Sequence, residues 1–303
     1  MPEFQIHDHT LTPLKDQVIL ITGSTSGIGL ATTKLCLELG AKVVAGDMNP
    51  FPNEFLESQS QPSALLFQKA DVTDWNSIRN LFIRGFSDFG RIDHVFANAG
   101  VGPRSNFLEE NFEEGTVEDG GRVLAPPDIR TVNVNLLGVI NTVRLGNYYL
   151  RRGDSAPTSV SRSIVLTASA SSFQNFSAAD YTVAKHGVLG ILRGLVNDLK
   201  ADTIGDGRPR VRLNAIAPSW TATGLVPRDM LAAMGVTVQE PEAVARSVVM
   251  LCNDEKRHGE VIYSWQGRYV EINRCEGGLL EGAMRAVPEK VLEEEVMARL
   301  KGR

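Results

Sequence analysis

The chain has 303 residues, 43% hydrophobic and 22% charged, with a formal net charge of −5. That balance gives no reason to expect nucleic acid or an anionic membrane as a partner, and no apolar run approaches the ~20 residues that cross a bilayer. Three unclustered cysteines, Cys36, Cys252 and Cys275, argue against a disulfide framework or a metal site and fit a reducing, cytoplasmic setting.

Met1 to Gln17 is polar and has no apolar signal core. Val18-Ile19-Leu20-Ile21 is a short apolar run ending in a glycine turn, which predicts a buried parallel strand. Ile28 to Leu39 reads as a helix with Leu30, Leu35 and Leu39 on its apolar face, stopped by Gly40. A second strand runs from Lys42 to Ala45 and ends at Gly46-Asp47. Pro50 to Ser63 is a loop around about one helical turn, and Ala64 to Phe67 a third strand. Thr73 or Asp74 caps a helix that Gly90 ends. Ile92 to Ala97, Ser163 to Ala168 and Val211 to Ile216 are further strands. Ile129 to Leu150 and Ala178 to Ala201 are long helices between them. Pro241 opens a helix to about Cys252. Val261-Ile262-Tyr263 and Tyr269-Val270-Glu271-Ile272 form strands around Gln266-Gly267, and Pro288 to Leu300 is a charged amphipathic helix.

Strands alternating with helices predict an α/β fold, a doubly wound parallel sheet of about seven strands with helices on both faces. The expected division is an extension at 1–14, one catalytic domain at 15–275 and a helical extension at 276–303. Residues 104–128 read as an acidic insertion, with Glu109, Glu110, Glu113, Glu114, Glu118 and Asp119. It is either a solvated loop, or a lid or subunit contact.

Gly23, Ser24, Ser26, Gly27, Ile28 and Gly29 follow a strand and open a helix. Glycines at this spacing let the backbone approach a pyrophosphate, whose charge the free amides of the helix start attract. Asp47 ends the second strand, where a carboxylate can accept both ribose hydroxyls of NAD and repel the 2′-phosphate of NADP. No Arg or Lys stands in the glycine turn or directly after Asp47. Tyr181 and Lys185 lie four apart, on one helix face. An unperturbed tyrosine, with a pKa near ~10, is a poor base at neutral pH. A neighbouring ammonium lowers that value and makes the phenol a usable proton acceptor. Ser169, just after a strand, sits where its hydroxyl can hold a substrate oxygen beside Tyr181; Ser171 and Ser172 are its rivals.

With the glycine turn, Asn98-Ala99-Gly100, Ser169 and Tyr181-Thr182-Val183-Ala184-Lys185 in this order, the chain resembles the short-chain dehydrogenase/reductase family from about Lys15 to Asn273. Tyr181 to Val188 and Val211 to Ile216 are similar to the 15-hydroxyprostaglandin dehydrogenase branch. The insertion and extended tail resemble fungal members, some of which act in secondary metabolism. The resemblance implies a Rossmann-type fold and an NAD-dependent oxidoreductase that interconverts a secondary alcohol and a ketone on a moderately large, apolar substrate. It assigns Asp71 and Val72 to the adenine and Asn98, Ala99 and Gly100 to the cofactor cleft. Lys185 bonds the nicotinamide ribose. Asn135, with Asn133 as register rival, holds a relay water, and Pro218 with Thr221 or Thr223 meets the carboxamide. Ser219 stands where relatives usually carry glycine. Phe173, Phe176 and Trp220 are candidates for an apolar pocket wall. A homodimer or homotetramer through the two long helices is implied, with Val139, Val143, Leu189, Leu192 and Leu195 as possible contacts. Two other readings compete: a biosynthetic ketoreductase, and a catalytically silent dinucleotide sensor or scaffold. The joint presence of Ser169, Tyr181 and Lys185 stands against the silent protein.

Overall fold

The computed structural model describes residues 2–118, 121–152, 161–200, 210–225 and 228–287, together with 296, 299 and 300. The predicted helix from Pro288 to Leu300 lies almost wholly outside these residues, as do Asp119 and the side chains of Glu114 and Glu118.

In chain order the structure runs β1 (Val18–Thr22), α1 (Gly27–Glu38), β2 (Lys42–Asp47), α2 (Asn53–Glu57), β3 (Leu65–Lys69), α3 (Trp75–Phe89) and β4 (His94–Ala97). A hairpin follows, β5 (Phe112–Glu118) and β6 (Gly121–Leu124). Then come α4 (Arg130–Val132), a π turn at Asn133–Leu137, α5 (Gly138–Leu150), β7 (Arg162–Thr167), α6 (Ala179–Lys200) and β8 (Val211–Pro218). The chain continues through α7 (Arg228–Ala233), α8 (Pro241–Asn253), β9 (Val261–Trp265), β10 (Arg268–Glu271) and α9 (Leu279–Ala286).

The main sheet has eight strands in the order β10-β9-β8-β7-β4-β1-β2-β3. All neighbours are parallel except β9 and β10, which form an antiparallel hairpin. Its turn places Gln266 and Gly267 at φ 50 and 74, the left-handed pair that a tight hairpin needs. β1 has β2 on one side and β4 on the other, so the strand order reverses there and a crevice opens beyond the carboxyl ends of the strands.

Strand alternation divides the core into two layers. Val18 and Leu20 face one cluster with Ile78 and Phe82 of α3, Val139 and Val143 of α5, and Leu189 and Leu192 of α6. Ile19 and Ile21 face the other, with Cys36 and Leu37 of α1 and Val244 and Val248 of α8. Val139, Val143, Leu189 and Leu192 are therefore buried against their own sheet, and Leu195 packs beside them. They are not the free contact surface that was one of their two possible uses. Leu137, Ile140, Tyr148 and Val183 are exposed. Gly190 and Gly194 of α6 leave open space where a side chain would stand.

Three expectations change. The helix from residue 129 to 150 is interrupted: the Gly138 amide donates to the Asn133 carbonyl, one residue beyond α-helical spacing. The acidic stretch folds partly as the β5–β6 hairpin, with Arg122 over the Phe112 ring. The helix α7 was not foreseen, and α9 lies in the helical extension expected at 276–303 but ahead of the helix expected from Pro288.

The opposite edge of the sheet, where the strands begin, is tied by buried charge. The Asp93 carboxylate accepts from the Val18 amide at 2.9 Å and from Arg91, and lies 3.5 Å from Arg162. Arg162 donates to the Ile92 and Leu150 carbonyls. Arg212 donates to the Leu251 and Cys252 carbonyls, which end α8. His94 lies among these cations. Its Nδ1 is 2.8 Å from the Ser163 hydroxyl and its Nε2 2.6 Å from Gln17 Oε1. Since that carbonyl oxygen only accepts, Nε2 carries the proton and Nδ1 accepts from Ser163. Burial, then Arg212, Arg162 and Arg91, push the His94 pKa down from 6.5 to about 3. The folded state refuses a proton that the unfolded chain takes up, so stability held above pH 6.5 is lost as pH falls toward 3. Roughly 2 kcal/mol should be gone by pH 5. Urea titrations at pH 7 and pH 5 test this, because His94→Gln should lose much less over the same interval. Equal losses in both proteins would refute the assignment.

Candidate active site

The carboxyl ends of the strands line one cleft of about 730 Å³. It contains Gly23, Ser26, Gly27, Ile28, Asp47, Asp71, Val72, Asn98, Ala99, Gly100, Ser169, Tyr181, Lys185, Pro218, Thr221 and Thr223. Three expected residues, Ser24, Gly29 and Asn135, do not line it.

Gly23 and Gly27 have φ of 66 and 49, and a Cβ on Gly23 would come within 2.7 Å of Ala99 Cα. At Gly29 a Cβ would lie 1.8 Å from the Gly23 carbonyl oxygen. Gly29 thus lets the first turn of α1 sit on that carbonyl, which supports the cradle from behind. Ser24 turns inward: it is fully buried, and its hydroxyl donates to the Gly46 carbonyl at 3.3 Å. Its hydroxyl therefore serves the contact between the ends of β1 and β2.

Asn98 holds three strand ends together. Its amide donates to the carbonyls of Thr22 and Gly23, and its oxygen accepts from Thr167. Asp47 is held by the amides of Thr25 at 3.1 Å and Asn49 at 3.0 Å, and stands at the cleft wall. Lys185 is the one cationic side chain among the described lining residues. Asp71 accepts from the Thr73 amide and hydroxyl in the turn before α3, while Asp74 caps that helix through the Asn76 amide. Gly138 explains the glycine of the Asn-x-x-Gly pattern: a Cβ there would meet Val72 at 2.5 Å.

Ser169 opens a short turn at Ala170–Ser172. Its hydroxyl accepts from the Ser171 amide, and its own amide donates to the Ser172 hydroxyl. Of the three serines, Ser169 is the one whose side chain bonds Tyr181. Burial raises the pKa of Tyr181, and the Ser169 bond acts the other way. Lys185 donates to the Thr167 carbonyl at 2.8 Å, and its ammonium lies 5.6 Å from the Tyr181 ring centroid. Burial lowers its pKa from 10.5 to about 8.

Asn135 is fully buried in the π turn, and both carboxamide atoms are taken by Val101, each at 2.8 Å. Its side chain is thus a clamp on the segment that follows Gly100. Asn133 is only part-buried. A second clamp, Asp180, was missed. Its carboxylate accepts from the amides of Arg104 at 3.0 Å and Tyr181 at 2.8 Å, with Thr131 and Ser105 also bonded. Burial raises its pKa, but these bonds outweigh burial and hold the acid below its usual range. The clue was its place directly before Tyr181, although an acid in a first helical turn is an ordinary complement to the helix dipole.

Ser219 needs no left-handed backbone, so the serine in place of glycine is accommodated without strain. Thr221 donates to the Ser219 carbonyl and accepts from Gln239, whereas Thr223 accepts from the Leu225 amide and packs on Gly27. Phe176 and Trp220 stand on the cleft wall, with ring centroids 6.3 Å apart. Phe173 does not; it packs edge-on against Tyr263 and faces a second cavity.

No helix among the described residues is long and apolar enough to cross a membrane, and no cluster there could hold a metal ion. The backbone opening at Gly23 and Gly27, the start of α1 and a cleft of about 730 Å³ lined from Asp47 and Asp71 to Lys185 together fit a dinucleotide.

A family model described as short chain dehydrogenase matches residues 17–230. Short-chain dehydrogenase/reductase ascJ of Acremonium egyptiacum is 41% identical over 303 residues, covering 99% of this chain and 96% of that protein. The human 15-hydroxyprostaglandin dehydrogenase [NAD(+)] is 26% identical over 268 residues, covering 81% and 90%. Among solved structures, a glucose/ribitol dehydrogenase of the family from Brucella melitensis superposes with a TM-score of 0.68 at 21% identity, covering 85% and 98% of the two chains. With the family model over most of its length and a relative that matches end to end, the chain belongs to the short-chain dehydrogenases, a family of NAD(P)-linked oxidoreductases.

Proposed function

We propose that the protein is an NAD-dependent dehydrogenase that interconverts a secondary alcohol and a ketone on a moderately large, apolar substrate of secondary metabolism. The observation that carries this reading is the Ser169–Tyr181–Lys185 set in the same cleft as the glycine turn. Residues 15–275 would form the catalytic unit, with 1–14, 104–128 and 276–303 as additions.

Ser169 orients the substrate oxygen toward Tyr181. In oxidation the Tyr181 hydroxyl oxygen, as phenolate, accepts the alcohol proton. A nicotinamide held beside Lys185 and the Pro218–Thr223 loop would supply the hydride acceptor, and in its oxidised form it would add positive charge that favours the phenolate. Lys185, fixed by the Thr167 carbonyl, provides the chain's own positive charge. Its lowered pKa places deprotonation near pH 8, within reach of a proton leaving Tyr181. The same groups serve the reverse reading, ketone reduction, in which the neutral phenol gives its proton to the substrate oxygen. A screen of NAD reduction over steroid, terpenoid, polyketide and hydroxy-fatty-acid alcohols tests the chemistry. Absence of turnover with every class, in both directions, would remove it.

Asp47 is the proposed basis of NAD preference, since a 2′-phosphate would meet a carboxylate and no nearby lining cation. Asp47→Arg should erode or reverse the preference by roughly tenfold or more, about 1.4 kcal/mol. Titrating NADH and NADPH into both proteins measures this. NADPH binding to the unchanged protein as tightly as NADH would contradict it.

A homodimer or homotetramer through α5 and α6 is also proposed. Leu137, Ile140, Tyr148 and Val183 form its apolar surface. Light scattering should show this association at micromolar concentration, and Ile140→Glu should weaken it. A fully active monomer would rule it out.

A further inference from the structure

Beside the main cleft lies a second cavity of about 450 Å³, itself within the ~300–1,000 Å³ range of small-molecule sites. Its walls are Phe173, Tyr263, Ile272 and Leu279, with Gly282 and Ala283 of α9. No charged side chain stands among its described lining residues. Such a wall, with Gln174 as its one amide side chain, suits hydrocarbon and offers no charge to a phosphate.

The cavity is continuous in its lining with the reaction cleft. Gln174 and Tyr263 face both. Phe173 follows the turn that Ser169 opens, and it contacts Tyr263 edge-on at 6.1 Å between centroids. The distal wall is attached by backbone: the Leu279 amide donates to the Ile272 carbonyl at 2.8 Å, and the Leu280 amide to the Asn273 carbonyl at 3.1 Å. Beyond Leu279, the α9 residues that face the cavity, Gly282 and Ala283, are small. A side chain built on Gly282 would meet nothing within 4 Å.

We infer that this cavity receives a hydrocarbon extension of the substrate, which passes Gln174 and Tyr263 from the carbinol held by Ser169 and Tyr181. The inference rests on the alcohol chemistry proposed above and narrows the substrate to an amphiphilic secondary alcohol with a long apolar tail. A compact polyol would leave the second cavity unused. The polar end reacts, and the tail sets affinity.

A series of alkan-2-ols and alkan-2-ones, from butyl to tetradecyl, tests this in two ways. With NAD present, KM for the alcohols follows turnover. Without turnover, quenching of tryptophan fluorescence follows binding of the ketones, because Trp220 is in the cleft and Trp265 stacks on Tyr263. Affinity should rise about fourfold per added methylene, the equivalent of ~0.8 kcal/mol, through the long members. In Gly282→Leu and Ala283→Trp the gain should stop at shorter chains, while the shortest members bind as in the unchanged protein. Gly282→Leu raises helix propensity, so α9 should persist. Identical chain-length curves in all three proteins, or no dependence on length in the unchanged one, would overturn the inference. If no alcohol is oxidised yet the ketones follow the expected curves, the tail site stands and the proposed reaction falls. If short alcohols are oxidised and the variants change nothing, the reaction stands and the tail site falls.

Discussion

Tyr181→Phe should lower turnover by on the order of 10³-fold, within the range of general acid–base contributions, while NADH binds almost as before. The substitution removes one oxygen, the proposed proton acceptor, and leaves the ring against Phe176 at 6.0 Å between centroids. Packing and dinucleotide contacts should therefore persist. The lost interaction belongs to the transition state, so kcat and kcat/KM should fall together and KM should change little. Single-turnover measurements on an alcohol found by the screen provide the test. Turnover equal to the unchanged protein would show that another group moves the proton.

Lys185→Met should do the opposite to stability and activity. Lys185 is only 3% exposed, and its ammonium donates to the Thr167 carbonyl. Burial lowers its pKa from 10.5 to about 8, which means that the folded protein carries the charge at a disadvantage of order ~3 kcal/mol at neutral pH. Below pH 8 both states are protonated and the penalty is complete. Between pH 8 and 10.5 the unfolded chain holds the proton and the folded one releases it, so the penalty fades as pH rises. Methionine fills similar space without charge. The variant should be more stable at pH 7, its advantage should shrink toward pH 10.5, and its turnover should fall by a hundredfold or more. Denaturant titrations across this range, beside kinetics, decide it. A variant less stable at pH 7 with no pH-dependent difference would show that the lysine is a structural support.

The sheet and the dinucleotide turn were legible because their signals are local. An apolar run followed by glycines at fixed spacing is a strand, a turn and a helix start at once, and Asp74 and Gly90 bracket α3 as caps do. What was hidden depends on direction. Ser24 and Ser26 are equivalent in a sequence, but one faces Gly46 and the other the cleft. The long helices have apolar residues around much of their circumference, so sequence alone did not say which set faces the sheet. Phe112 to Glu118 looked like a solvated acidic loop, since a two-stranded hairpin buries little and needs no strong alternation. The eight residues of α9 include a glycine and give a short, weak periodic signal. Asn135 and Asp180 act through backbone atoms of Val101, Arg104 and Tyr181, partners that no side-chain motif announces.

The N-terminal segment has a consequence for how the molecule avoids its own copies. Phe4 exchanges backbone hydrogen bonds with Tyr269, amide to carbonyl in both directions, at 2.9 and 3.1 Å. Its ring stacks on Tyr269, and Arg257 covers it. The segment is held further along, where Asp8 pairs with Arg246 and Asn253 donates to the Thr12 carbonyl. An open outer strand is a template for another chain to pair with. β10 is that outer strand, and its free side at Tyr269 is already taken by residues from the same molecule. The short tail thus blunts the β10 edge of the sheet, one of its two edges, against pairing with a second chain.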